Sequence, residues 1–81
     1  MSELIKVTPD ISKVVDARSS DPFLDAKMGI FSVDVGEVIE VLTGDSRLDE
    51  VLPTWAGKVG HEYLGHMEVN GCEHIFMRRG K

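Results

Sequence analysis

The sequence predicts an α/β protein, a two-layer β-α-β-α-β-β sandwich in which a four-stranded mixed sheet carries two helices on one face. Three observations support this fold class. Two β-branched runs are separated by a helical segment, a second helical segment has one apolar face, and two further strands flank Asn70-Gly71. A helix between two strands makes them parallel with a right-handed crossover, whereas a tight turn makes the last two antiparallel.

The first strand is predicted within residues 12–18, where the β-branched pair Val14-Val15 lies between polar residues. Asp21 and Pro22 then mark the start of the first helix. An aspartate accepts hydrogen bonds from the free N–H groups of a first turn. Proline fits the first helical position because no bond from its missing N–H is needed there.

The first helix is predicted to bury Leu24, Met28 and Phe31, which follow the i, i+4, i+7 spacing of one helical face. An amphipathic helix packs such a face against the sheet. We therefore expect Leu24 and Phe31 to share one core with Trp55 and Val41.

The second strand is predicted at residues 37–43, the strongest β pattern in the chain. Ser46 and Asp49 then have the spacing of a helix-capping box. Gly60 is expected to end the second helix, and Pro53 requires a bend if that helix begins at Ser46. The apolar face of this helix, at i, i+1, i+4, i+5, i+8 spacing, consists of Val51, Leu52, Trp55, Ala56 and Val59.

The third and fourth strands are predicted at residues 62–69 and 72–78, although Gly65 interrupts the first of them. The Asn70-Gly71 pair between them is typical of a type I′ turn, in which both central residues adopt positive φ. These two strands are therefore expected to form a hairpin.

The chain has 81 residues, the size of one domain, and 42% of them are hydrophobic, which is enough for one core. We expect residues 1–11 to form a lead-in and residues 12–81 to form the domain. Fourteen acidic residues against nine basic ones give a net charge of −5. This balance argues against a nucleic-acid partner, because binding to phosphates needs a basic surface.

Cys72 is the only cysteine, so an internal disulfide is excluded and a reducing compartment is favoured. The first ten residues lack the apolar stretch of a signal peptide, and no apolar run approaches the roughly 20 residues of a membrane helix. We therefore expect a cytoplasmic protein that has no membrane partner.

Five segments in order resemble the TusA/SirA family of sulfur-carrier proteins: VVDAR at 14–18, PFLDAK at 22–27, SVDVGEVIEVLTGD at 32–45, PTWAGKVGHEYLG at 53–65 and EVNGCEHIFMRRGK at 68–81. The resemblance covers roughly residues 12–80, and it implies the same β-α-β-α-β-β order. The second-strand segment and the W-A-x-x-x-G-H-E stretch at 55–62 are its most specific parts.

In that family a Cys-Pro-x-Pro motif opens the first helix. The free N–H groups and the positive end of the helix dipole lower the pKa of such a thiol and favour the thiolate. The cysteine accepts a sulfur atom as a persulfide and passes it to the next protein of a relay. The resemblance therefore implies a sulfur-relay role with protein partners, in a sulfur-transfer or redox assembly.

This chain departs from the family at the motif itself. Aligned on the second proline, the residues equivalent to the family site are Arg18, Ser19, Ser20, Asp21 and Pro22, with Ser19 at the position of the cysteine. A serine hydroxyl cannot form a persulfide, and the Asp21 carboxylate disfavours a second anion at the helix start. We therefore predict a non-catalytic protein-interaction module rather than an enzyme.

The alternative is a divergent sulfur carrier, or sulfurtransferase, that uses Cys72. Glu68 and Glu73 lie near this residue in the sequence, and acidic neighbours raise the pKa of a thiol and lower its reactivity. A structural role for Cys72 is therefore favoured, although the alternative stays open. Loading of a persulfide onto Cys72 distinguishes the two hypotheses.

No metal site or cofactor is predicted. His61, His66 and His74 lack both the i, i+4 spacing of a helical metal pair and the i, i+2 spacing of a strand pair. A hydrolase is also disfavoured, because Ser19 and Ser20 lie outside any Gly-x-Ser-x-Gly motif and no histidine lies close to them in the sequence.

Overall fold

The computed structural model describes residues 10–81 and confirms the predicted fold class. Four strands form one mixed sheet in the order β1-β2-β4-β3, with two helices packed on it. The elements are β1 (Ile11–Asp16), α1 (Pro22–Ile30), β2 (Val38–Thr43), α2 (Leu48–Val59), β3 (Glu62–Val69) and β4 (Cys72–Arg78). Most of the lead-in predicted for residues 1–11 lies outside the described residues.

The pairing of the strands follows the predicted connections. β1 is parallel to β2, with Val15 beside Val41. β2 is antiparallel to β4, and Val41 lies beside Ile75, while β3 and β4 form the antiparallel hairpin. The carboxyl ends of β1 and β2 therefore lie at the same edge of the sheet as the beginning of β4.

The turn between β3 and β4 has the predicted geometry. Asn70 has a φ of 52° and Gly71 a φ of 80°, as a type I′ turn requires. Gly60 has a φ of 90° and ends α2 in the left-handed conformation, which confirms its predicted role.

The core lies between the sheet and the two helices. Its largest fully buried side chains include Ile30, Ile39, Leu52, Ile75 and Met77. Trp55 is partly buried against this core, and its indole meets the ring of Phe23 edge to face at 6.0 Å. Trp55 and Val41 therefore contribute to one core, as predicted.

The predicted buried face of α1 is wrong. Leu24, Met28 and Phe31 are 44%, 64% and 57% exposed. The buried residues of this helix are instead Ala26, Gly29 and Ile30. These residues also have the spacing of one helical face, but Ala26 and Gly29 are too small to be recognised in the sequence as part of a hydrophobic face.

The close approach of α1 to the sheet explains this choice. A β-carbon built on Gly29 would lie 2.5 Å from Cγ2 of Val15, so only glycine lets the helix backbone come this near to β1. A helix placed so close to β1 needs small residues at the point of contact, so Ala26 and Gly29 face the sheet beside Ile30. Leu24 and Phe31 are consequently outside the core in which they were expected.

The predicted capping box at the start of α2 does not form. The helix begins at Leu48, and the residue before it, Arg47, makes no capping hydrogen bond with its side chain. The N–H of Asp49 donates to the backbone oxygen of Ser46 at 3.2 Å, so the link between these residues is a backbone turn. Pro53 lies inside the helix. Neither helix of the described chain is long and apolar enough to cross a membrane.

Candidate functional site

An open cleft of about 630 Å³ lies at the edge of the sheet where β1 and β2 end. The loop after β1 contributes Arg18, Ser19, Ser20 and Pro22 to its walls. The loop after β2 contributes Thr43, Gly44, Asp45 and Arg47. The structure thus brings four of the five predicted family-site residues into one cavity, with Asp21 between them in the chain.

The two arginines of the cleft are paired with carboxylates. Arg18 donates to Asp16 through Nε at 2.9 Å and Nη2 at 3.0 Å. Arg47 donates to Asp45 through the same atoms at 3.0 Å and 2.8 Å. These hydrogen bonds lower the pKa of Asp16, and they lower the pKa of Asp45 to about 2. Both guanidinium groups are therefore already engaged by an anion.

The start of α1 is occupied by carboxylates as well. Asp21 is the N-cap, and its Oδ1 accepts the N–H of Leu24 at 3.1 Å, while Pro22 takes the first helical position. The hydroxyl of Ser19 donates to the carboxylate of Asp25. Two negative charges thus lie at the positive end of the helix dipole, where they disfavour a third. The predicted cap of Asp21 is confirmed.

Cys72 lies at the same edge of the sheet. It is half-buried at the beginning of β4, and its thiol makes a weak contact with the backbone oxygen of Glu73 at 3.8 Å. The hydrogen bonds and the charge of Asp16 raise the pKa of Arg18. Because Glu73 pairs with Thr43, which lines the cleft, Cys72 lies one residue beyond this pair at the same sheet edge, a placement that the sequence did not indicate.

The histidines lie in three different environments. Nδ1 of His61 accepts the N–H of Gly80 at 3.0 Å, Nδ1 of His66 is 2.9 Å from the hydroxyl of Tyr63, and Nδ1 of His74 is 2.7 Å from a carboxylate oxygen of Glu40. The structure therefore does not bring His61, His66 and His74 together.

A different group of potential metal ligands does come together. Asp49, His66 and Glu73 offer ligand atoms that all lie within 4.8 Å of one another. A hydrogen bond with Asp49, burial and the charge of Asp49 raise the pKa of Glu73. The sequence analysis missed this group because its members come from three elements. One signal was available: Glu73 shares the core face of β4 with Ile75 and Met77, an unusual place for a carboxylate.

Next to the loop of Ser19 and Ser20, α1 presents an apolar surface to solvent. We call Leu24, Met28 and Phe31 the α1 strip; all three are exposed. At its far end the guanidinium of Arg79 lies 5.1 Å from the centre of the Phe31 ring. Large exposed apolar side chains that cluster in this way are typical of contact surfaces between proteins.

No known protein-family profile matches the chain. The chain is similar to a curated protein of Archaeoglobus fulgidus, a "Putative sulfur carrier protein". The two are 42% identical over 54 residues, which are 63% of this chain and 74% of the relative. Identity at this level, over about three quarters of the relative, shows common descent. The chain described here therefore belongs to the sulfur-carrier protein family.

Proposed function

We propose that this protein is a non-catalytic docking module in a cytoplasmic sulfur relay, of the TusA/SirA type, and that it binds a partner protein without carrying sulfur itself. The observation that carries this proposal is the start of α1, where the Asp21 carboxylate accepts the N–H of Leu24. In a sulfur carrier of this type, that helix end would instead stabilise the thiolate of the carrier cysteine.

The chemistry of the loop supports the absence of sulfur transfer. A persulfide needs a sulfur atom to which the transferred sulfur bonds, and the oxygen of Ser19 cannot replace it. Asp21 and Asp25 also place two carboxylates where a persulfide anion would have to form. Neither Arg18 nor Arg47 offsets this charge, because each is held by its own aspartate.

The α1 strip supports a docking role. It lies next to the loop equivalent to the family site, so a relay protein that approaches this loop also meets Met28 and its neighbours. The net charge of −5 steers a basic partner toward the molecule. We therefore propose a partner that handles sulfur, with an apolar centre and an excess of lysine and arginine on its contact surface.

The chemical part of the proposal is tested by treating the protein with glutathione persulfide and measuring its intact mass. We expect no added sulfur on the wild-type protein and none on the Cys72→Ser variant. A stable added sulfur on the wild-type chain would contradict the non-catalytic role.

The docking part is tested with a photo-crosslinking amino acid placed at Met28 in the native organism, and at Val69 as a control. Both positions are exposed apolar residues, but Val69 lies on β3, the strand at the opposite side of the sheet from β1, on which α1 packs. We expect an identified sulfur-handling protein to crosslink at position 28 and not at position 69.

The purified pair then provides the quantitative test. Met28→Asp is expected to weaken binding about tenfold or more, as substitutions at the centre of an interface do. Val69→Asp should leave the affinity unchanged, and the association rate should fall as salt is added. Equal effects of the two substitutions would refute the α1 strip as the docking surface.

The second candidate function is a sulfur carrier that works through Cys72. The observation in its favour is the position of this half-buried thiol, one residue beyond the Thr43–Glu73 pair at the sheet edge that carries the cleft. One added sulfur in the mass experiment, lost in Cys72→Ser and retained in Ser19→Ala, would establish this candidate in place of the docking module.

A further inference from the structure

Three side chains with metal-ligating atoms meet beneath the first turn of α2. Asp49 comes from that turn, His66 from β3 and Glu73 from β4. One ligand atom of each lies within 4.8 Å of the other two, and Nε2 of His66 is 3.7 Å from Oδ2 of Asp49. An ion with bonds of about 2.0–2.2 Å holds its ligand atoms roughly 3–4 Å apart, so small side-chain movements suffice to close the group around it.

The two carboxyl groups have little access to solvent: Glu73 is buried, and the side chain of Asp49 is 18% exposed. Glu73 is only 8% exposed, and within residues 10–81 no basic side chain forms a salt bridge with it. Oδ1 of Asp49 is fully buried, and it accepts no hydrogen bond from the described part of the chain. Buried polar atoms are almost always paired, with protein, water or an ion. Two neighbouring carboxyl groups this poorly solvated need a positive charge between them: the proton that Asp49 and Glu73 share in their hydrogen bond, or a cation that displaces it.

Tyr63 orients the histidine of the group. Its hydroxyl is 2.9 Å from Nδ1 of His66, which leaves Nε2 on the side of the carboxylates. Metal-binding histidines commonly donate the N–H of the second ring nitrogen to an oxygen, and a phenol oxygen is able to accept it. The side chain of His66 is 30% exposed, so an ion has a route from solvent.

We propose that Asp49, His66 and Glu73 form a binding site for a divalent transition-metal ion, of which Zn²⁺ is the representative. One imidazole nitrogen and two carboxylates suit Zn²⁺ and its neighbours, whereas Mg²⁺ and Ca²⁺ favour ligand sets made only of oxygen. The ion joins the first turn of α2 to both strands of the hairpin. This link has a structural use, because α2 begins without a side-chain cap.

The site is tested by isothermal titration of the full chain with Zn²⁺ after treatment with a chelator. We expect one saturable site per molecule and a higher midpoint of thermal unfolding when Zn²⁺ is present. Glu73→Gln and His66→Gln should each weaken Zn²⁺ binding more than tenfold. Tyr63→Phe removes only the orienting hydroxyl, and a loss of about tenfold is expected for a partner of this kind.

The matched control is His74→Gln. Like His66, His74 is a strand histidine of intermediate exposure next to a carboxylate, here Glu40 at 2.7 Å, with 24% of its side chain exposed. Because it is one residue from Glu73, it points to the other face of the sheet. Its substitution should leave Zn²⁺ affinity unchanged, and an equal loss in His74→Gln and His66→Gln would overturn the proposal.

A measurement on the wild-type protein keeps the proposal testable if a variant fails to fold. Zn²⁺ is diamagnetic, so its addition should shift the imidazole proton resonances of His66 first and by the largest amount in an NMR titration. Shifts that begin at His61 or His74, or the absence of saturable uptake, would refute the site. The persulfide and crosslinking experiments do not involve these residues, so the two proposals can fail separately.

Discussion

Helices α1 and α2 begin and pack in different ways. At the start of α1 the carboxylate of Asp21 acts within its own turn, because it caps the helix that begins at the next residue, Pro22. At the start of α2 no side chain caps the helix, and the carboxylate of Asp49 turns inward toward β3 and β4. The carboxylate of Asp21 disfavours a second anion at the start of α1, whereas the carboxylate of Asp49 lies close to side chains from two strands.

The two helices also differ in what they bury. α2 places Leu48 and Leu52 in the core, whereas α1 buries Ala26, Gly29 and Ile30 and leaves the α1 strip exposed. A helix that packs on the sheet through small residues leaves larger apolar side chains exposed, and these can contact another molecule. The difference separates a helix that stabilises the fold from one whose exposed face is available for binding.

The largest expected effect tests this difference directly. Leu52 is fully buried, so Leu52→Ala should lower the free energy of unfolding by about 2–5 kcal/mol. Leu24→Ala, on the exposed face of α1, should lower it by less than about 0.5 kcal/mol, as expected of surface substitutions. Chemical denaturation measures both values, and similar losses would mean that α1 packs through its large residues after all.

The next effect compares one glycine in each helix. Gly29→Ala places a methyl group against the stiff side chain of Val15, and overpacking of this kind costs about 1–3 kcal/mol. In Gly57→Ala the new methyl group meets nothing within 4 Å, so α2 should gain about 0.4–1 kcal/mol from the reduced freedom of the unfolded chain.

The readout of the glycine pair is the sign of the change in the unfolding midpoint. Gly29→Ala should lower the midpoint and Gly57→Ala should raise it. A higher midpoint for both variants would show that α1 does not need its close approach to β1.

The cap of α1 gives a smaller effect. Asp21→Ala removes the acceptor of the Leu24 N–H and should destabilise the protein by about 0.5–2 kcal/mol. Ser46→Ala is the matched control at the start of α2, where the side chain makes no capping bond, and it should change the unfolding free energy little. Urea denaturation of both variants checks the comparison, which fails if Ser46→Ala is the more costly substitution.

The smallest effect concerns pH and the place where the two helices meet. His61 packs between Phe31 of the α1 end and Trp55 of α2, with ring centres 5.5 Å and 5.3 Å away. Burial, and then the charges of Arg79 and Lys81, lower the pKa of His61. Its neutral form is therefore the one that the fold favours.

The sign of the pH dependence follows from this shift. The unfolded chain takes up the proton of His61 first as the pH falls below about 6.5. The contribution to stability is therefore intact above that pH and is lost as the pH falls toward the lower pKa of the folded state. The slope of the unfolding free energy between pH 7 and pH 5 should be steeper in the wild type than in His61→Gln, and equal slopes would contradict the shift.

Elements whose signals are local could be predicted from the sequence. Asn70-Gly71 specifies its hairpin because both residues accept positive φ, and Gly60 ends α2 for the same reason. Asp21 and Pro22 define the start of α1 through the hydrogen bonding of one turn. Each of these features depends on interactions among residues a few positions apart.

The buried face of α1 could not be predicted in the same way. Two faces of this helix have apolar periodicity, and the sequence favours the one with larger residues, Leu24, Met28 and Phe31. The sheet selected the other face, because Gly29 allows contact with Val15 at a distance that a larger residue forbids. That preference exists only once β1 and α1 are side by side.

The candidate sites also divide into features that nearby residues predict and features that only the folded structure brings together. Local residues are enough to exclude persulfide chemistry at Ser19 and Ser20 and to indicate the carboxylate cap beside them. The meeting of Asp49, His66 and Glu73, and the placement of Cys72 at the sheet edge of the cleft, depend on strand order and register. Pairing across a sheet joins residues that are distant in the chain, and their proximity is a property of the folded protein alone.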